Sequence, residues 1–425
     1  MRRSSRVLEL VTVLLSAVIG GLALVTPASV AWLRGGTATV QIELLATNMP
    51  RAAAIGCLAA VVVAVFGSTA ESLVVPWASA LCGMIVLLLN HMLGRSLSSI
   101  APLTTLNYID SLAGGVLLGG LAAAAAIKLA MTLAFILGAL TAVVIGELNT
   151  PGGLGEVHGV ARWLIVDSPP LWLICPATVL FAWCTLRYRL GRRYSALTVE
   201  LPLRPIMAAV IGISVPVLGS EWLVRNGVEN SDLALVTAAT VLAALIAGRL
   251  LPGRDGMLLQ LAVGVGTVGS VIVPLPLPMW FIPFSITLDL AGLLYGLRRP
   301  SPVAAMLALL GLSLFGVLIT GPLHNTLTIA LIGTVVLGFV TGYAFSAALP
   351  GNSPSIMLGI AMLLVPGVVI SMRGRLFYTD PSLVLNEVKP ALVAVVIAVG
   401  CLLNLLLLRR RPVEEPEPAT PPAAV

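Results

Sequence analysis

Apolar runs of about 18 to 25 residues follow one another from near the start of the chain to residue 409, separated by short polar, Pro or Gly breaks. As a helix, each run is long enough to cross a hydrocarbon core roughly 30 Å thick. A soluble domain needs a polar surface, and the chain has little to build one from. Of its 425 residues, 58% are hydrophobic and 10% charged, and the mean hydropathy is +1.06. The sequence therefore reads as an all-α polytopic membrane protein whose first partner is the lipid bilayer.

The breaks place helices near 7–31, 51–67, 72–94, 105–125, 127–148, 169–187, 204–224, 232–250, 256–274, 277–297, 302–320, 326–348, 354–372 and 388–408. That is about fourteen transmembrane helices, with twelve as the lower bound. Only Lys128 interrupts the apolar stretch between 105 and 148, so one long tilted helix is the alternative there. The opening "MRRSSRVLELVTVLLSAVIGGLALVTPASVA" has the basic, apolar and small-residue order of a secretory signal. Its apolar part is too long for a signal core and more spans follow, so an uncleaved first helix is expected.

Basic residues set orientation. With the N-terminus inside, the cytoplasmic segments carry twice as many Lys and Arg as the opposite ones. Arg192 and Arg193 in "RYRLGRRYS", Arg298 and Arg299 after the tenth span, and the final "RRR" then act as topology anchors. Both termini are expected in the cytoplasm, and the protein in the plasma (inner) membrane. This accounts for the net charge of +6 without a nucleic-acid partner. The long basic loop divides the chain into a six-helix bundle at 1–187, a loop at 188–203, a bundle of about eight helices at 204–409 and a tail at 410–425. The tail is Pro-rich and acidic and is expected to be disordered. A helix, loop, helix pattern opens the chain and recurs after the 188–203 loop, so the two bundles read as pseudo-repeats.

Two resemblances follow from these segments. The run "LLYGLRRPSPVAAMLALLGLSLFGVLITGPLHNTLTIALIGTVVLGFVTGYAFSAALP" resembles the second half of major facilitator superfamily transporters, where a basic loop with Gly joins two helices and a Gly-rich helix follows. "GRLLPGRDG" is similar to the same type of loop, and "LGALTAVVIGELNTPGG" with "PPLWLICPATVLFAW" is similar to that family's fifth and sixth helices. Fourteen spans with a short basic C-terminus resemble its drug and proton antiporter branch. The chain departs from the family at "FGSTAESL", where Glu71 stands alone in place of an Asp-Arg pair and further basic residues. More locally, "NSPSIMLGIAMLLVPGVVISMRGRLFYTDPSLVL" resembles the end of threonine/serine exporter family proteins. These resemblances imply secondary transport of a small molecule, with protons as the coupling ion.

An ionisable side chain at a helix centre costs about 2.5 to 3.5 kcal/mol on insertion scales, so each one calls for a reason. Asp289 in "MWFIPFSITLDLAGLLYG" is the leading substrate or proton-coupling candidate, with Ser285 one turn earlier on the same face. The alternative is an Asp that pairs with Lys128 or an arginine to fix packing. Asn90 and His91 end the third span, where His91 is either a proton sensor or a hydrated interfacial residue. Gln260 either lines a cavity or bonds a neighbouring helix. Glu9, Glu147 and Glu221 lie near helix ends, within reach of water.

The five cysteines fall inside apolar runs without metal spacing and read as small buried hydrophobes. No catalytic, metal or nucleotide motif stands out, so neither an enzyme nor a cofactor is expected. The leading expectation is a proton-coupled exporter of a small or amphipathic molecule. The alternative is a non-transporting integral membrane subunit of a secretion or cell-envelope assembly complex, with other membrane proteins as partners.

Overall fold

The structure, a computed structural model, describes residues 2–26, 39–97, 103–146, 169–188, 203–226, 229–252, 254–273, 281–320, 327–372 and 388–411. Their regular structure is helical throughout. The elements are α1 (Arg2–Val25), α2 (Thr39–Thr69), α3 (Val74–Leu97), α4 (Leu103–Ala125), α5 (Leu129–Gly146), α6 (Leu171–Tyr188), α7 (Leu203–Asn226), α8 (Asn230–Leu250), α9 (Gly256–Ile272), α10 (Phe281–Arg298), α11 (Pro302–Thr320), α12 (Leu327–Ala347), α13 (Ser353–Leu364), α14 (Val368–Met372) and α15 (Lys389–Arg409). Among the described residues thirteen segments are long and apolar enough to cross a membrane, and α13 with the start of α14 makes one of them. The 17-residue α9 is equally apolar and gives a fourteenth crossing.

The two helices expected within 105–148 are present, and two other boundaries differ from the sequence expectation. The 105–148 stretch is two helices, because the chain turns at Lys128, where the Ala125 carbonyl at the end of α4 accepts from both the Lys128 N–H and the Thr132 hydroxyl. Helix α2 starts twelve residues before its expected first residue and runs through Pro50, which costs one backbone bond without ending the helix. The thirteenth span is broken, since Pro366 cannot donate and α13 closes with Val365 N–H on Ala361 O.

Helix packing shows why the chain forms two bundles. In the first, α1 packs on α4, α5 and α6; α2 packs on α4; and α3 packs on α4 and α6. Most of these neighbour relations return when α9 takes the place of α1, with packing of α9 on α11 added. Thus α9 packs on α12, α13 and α15; α10 packs on α12; and α11 packs on α12 and α15. The packing pattern restarts at α9, two spans later than the helix, loop, helix pattern of the sequence places it. Helices α7 and α8 form a hairpin between the repeats in sequence, packed on α2, α13 and α14 on one side and on α9 and α15 on the other. A helix, loop, helix pattern is common to any two antiparallel spans, so only the packing separates the hairpin from a true repeat.

Without a hydrophobic drive between helices in lipid, close approach depends on small residues. Any Cβ on Gly115 of α4 would strike the Gly56 carbonyl of α2, so "AGGVLLGG" is the seam of the first bundle. In the second, a Cβ on Gly342 of α12 would strike the Asp289 backbone carbonyl of α10. The outer surface is the converse. Val179, Leu186, Leu218 and Leu235 are largely exposed, which suits acyl chains and no aqueous surface.

Charges gather at the two helix ends. At one end Glu9 of α1, 4% exposed, accepts from Lys128 Nζ at 3.0 Å and faces Arg187 of α6 at 3.4 Å. Lys128 also donates to the Tyr188 hydroxyl at 3.0 Å, and the Tyr188 ring stacks on Trp77 of α3. Partial burial pulls the Lys128 pKa down, but the bonds to Tyr188 and Glu9 outweigh it and hold the ammonium above a lysine's ordinary value. Arg249 and Arg411 meet at the same end, where the Arg411 guanidinium donates to Arg249 O. At the opposite end Arg51 of α2 and Glu221 of α7 form a two-pronged pair at 2.7 and 2.9 Å.

Candidate functional site

Asp289 lies midway along α10 and is 2% exposed, and Ser285, one turn before it, is 4% exposed. Both line a cavity of about 130 Å³ that brings elements of both bundles together. Helix α5 of the first bundle contributes Leu140, Val143 and Val144. Helix α12 contributes Thr334 and Thr341, and α9 adds Thr267 and Ser270. Thr240 of α8 adds a further hydroxyl, and the other side chains of the walls are apolar.

Glycine makes room at the carboxylate. The position a Cβ would take on Gly338 of α12 is 3.7 Å from Asp289 Oδ1 and 3.6 Å from Ser285 O. The break in the thirteenth span forms another wall through Val365, Gly367 and Val368, with open space beside Gly367. Irregular backbone at membrane depth is tolerated where it lines a cavity.

Asp289 makes no hydrogen bond or ion pair with any described residue. Lys128, its expected partner in the packing alternative, is engaged by Glu9 and Tyr188. An ionised carboxylate in an apolar site needs a proton, a cation or water to offset its lost solvation. The hydroxyls around it are partly committed: Thr334, Thr267 and Ser270 donate to the carbonyl one turn back on their own helices. Their oxygens keep acceptor capacity toward the cavity.

The other candidates lie apart from this cavity. Gln260 is fully buried between helices: its Nε2 donates to Ala244 O at 2.7 Å, and its Oε1 accepts from Asn404 Nδ2 at 3.3 Å. That network joins α8, α9 and α15, the second of the two roles considered for Gln260. Asn90 and His91 sit inside the first bundle. They are buried against Asp110 of α4 and not hydrated at an interface, as had been one alternative for His91. Asn90 Nδ2 donates to Asp110 Oδ1 at 2.7 Å and to Leu106 O at 3.0 Å. His91 Nδ1 lies 3.1 Å from Leu87 O, which can only accept, so this nitrogen carries the hydrogen.

Asp110 was passed over in the sequence reading, although a carboxylate inside "TLNYIDSLAGG" is the same signal that picks out Asp289. Arg298 and Arg299 end α10 as exposed residues. Arg192, Arg193 and Glu147 fall outside the described residues.

No protein-family model matches the chain, and a comparison with curated proteins gives no match. Among solved structures it is similar to an auto-inhibited POT family peptide transporter, at 12% identity and a TM-score of 0.46, covering 97% of this chain and 98% of the other. It is also similar to the major facilitator superfamily proton:xylose symporter XylE bound to 6-bromo-6-deoxy-D-glucose, at 12% identity and a TM-score of 0.43, covering 95% of each chain. A third is a proton-dependent oligopeptide (POT) family transporter, at 12% identity and a TM-score of 0.45, covering 94% of this chain and 99% of the other.

Proposed function

We propose that the protein is a secondary active transporter in which two helical bundles rock about the Asp289 cavity and carry a small or amphipathic molecule outward in exchange for protons. The observation that carries this reading is a buried carboxylate without a partner among the described residues, set in a mostly apolar cavity that takes walls from both bundles. A scaffold gains nothing from that arrangement, since an unpartnered buried charge costs stability. A transporter can use it, because proton or cargo then decides whether the carboxylate tolerates closure.

The basic helix end is placed in the cytoplasm, following the Lys and Arg bias. The Arg51–Glu221 pair then closes the outer end of the interface between α2 and the α7–α8 hairpin. Asp289 alternates between protonated and cargo-bound forms, Ser285 and the cavity threonines offer oxygens to the cargo, and the apolar walls favour a cargo with a hydrophobic body.

The reading is tested by comparing metabolites and lipids, in cells and medium, for a deletion strain carrying either the wild-type gene or Asp289→Asn. A compound retained in the deletion and the mutant but released by wild type supports it. Identical profiles from both genes would remove Asp289 from the mechanism. A deletion that alters no compound would favour a non-transporting membrane subunit.

A further inference from the structure

A second cavity lies away from the one at Asp289. A cleft of about 400 Å³ opens at the basic end of the second bundle, where the α8–α9, α10–α11 and α12–α13 connections meet the end of α15. Its walls include Arg254, Asp255, Ser301, Pro302, Pro350 and Arg409. Arg254 and Arg409 come from different elements, both are exposed, and neither makes a hydrogen bond or ion pair among the described residues.

We propose that this cleft is a binding site for a phosphate-bearing anion. Two guanidinium forks contributed to one cleft by different elements match the several oxygens of a phosphate group. Helix α11 begins at the cleft with Pro302, so the positive end of its dipole adds to theirs. Arg249, Arg298, Arg299, Arg410 and Arg411 lie at the same end, and Asp255 is the only carboxylate among the residues that line the cleft. Asp255 is also restrained, because its Oδ2 accepts from Asn352 and burial pushes its pKa above a carboxylate's ordinary value. Orientation in the membrane accounts for arginines in these loops. It does not account for two of them, without a partner among the described residues, lining one cleft. An anion held there ties together connections that must move if the second bundle rocks, so its natural role is to bias that motion. The same chemistry is offered by the phosphodiester of an anionic lipid and by a soluble phosphate compound.

The test uses the full chain in nanodiscs of phosphatidylcholine, alone or mixed with phosphatidylglycerol, with pyrophosphate titrated into the former at constant ionic strength. Thermal unfolding midpoints and the pyrophosphate Kd are read. At least one anion source should raise the wild-type midpoint, and Arg254→Gln/Arg409→Gln should weaken that effect at least about tenfold. The charge-matched Arg298→Gln/Arg410→Gln, outside the cleft, should keep it. Asp255→Asn should bind more tightly, a gain that misfolding cannot produce. Stabilisation by phosphatidylglycerol alone assigns the site to a lipid headgroup, and stabilisation by pyrophosphate assigns it to soluble anions. The proposal is overturned if neither source stabilises the wild type, if both double variants lose the effect equally, or if Asp255→Asn binds no better. None of these readouts depends on transport, so failure here leaves the Asp289 reading standing.

Discussion

At the residue scale, Asp289 is where the sequence is most informative, because an ionisable group inside an apolar run must be offset by something. The sequence located the carboxylate and its companion Ser285. It could not tell whether Lys128, more than a hundred residues away, was the partner. That depended on Glu9 lying nearer to Lys128, which is a matter of packing. Gln260 illustrates the same limit, since Asn404 and Ala244 reach it only in the folded bundle.

Asp289→Asn keeps the shape and removes the charge. Gradient-driven export should fall at least about tenfold, equivalent to roughly 1.4 kcal/mol. The unfolding midpoint should hold or rise, because no ion pair is lost. A lower midpoint with export intact would make Asp289 structural.

Lys128 gives a pH prediction. Its folded pKa lies above the ordinary value, so its contribution is fully present below the unfolded pKa and is lost as pH rises through the folded one. Wild type should therefore lose midpoint in the alkaline range with a steeper slope than Lys128→Met, measured by thermal unfolding at successive pH values. Equal slopes would show that the Glu9 cluster does not depend on the ammonium.

At the element scale, span number was legible because length and apolarity decide it, whereas helix breaks and early starts were not. Proline is a helix breaker in water, yet Pro50, Pro176 and Pro216 all sit inside helices here. Only Pro366, followed by Gly367, interrupts a span. The Pro-Gly pair supplies the break by removing a donor and a side chain at adjacent positions.

Pro366→Ala/Gly367→Ala should join α13 to α14. It should raise stability by up to about 3 kcal/mol, the cost of proline in a helix interior. It should also slow export, because the cavity wall formed by Val365, Gly367 and Val368 would be rebuilt. Export at the wild-type rate in a stabilised variant would dismiss the break as incidental.

At the scale of the whole molecule, the all-helical, many-span architecture follows from composition and run length alone. The order of its parts does not. The repeat begins at α9 and the α7–α8 hairpin stands between the halves, a relation carried by which helices touch. At one end of the interface Arg51 pairs with Glu221, 170 positions away in sequence. Arg51→Cys/Glu221→Cys should form a disulfide under oxidation that arrests export, with recovery on reduction. Export that continues through the crosslink would mean that this end never opens.

The most direct test of the central claim is the accessibility of the cavity itself. Ser285→Cys in a cysteine-free background, reconstituted in vesicles, would be exposed to a membrane-impermeant thiol reagent from either side. Alternating access predicts modification from both sides, and crosslinking at the Arg51–Glu221 end should abolish it from that side alone. Modification from one side only, unchanged by the crosslink, or from neither side, would contradict the account.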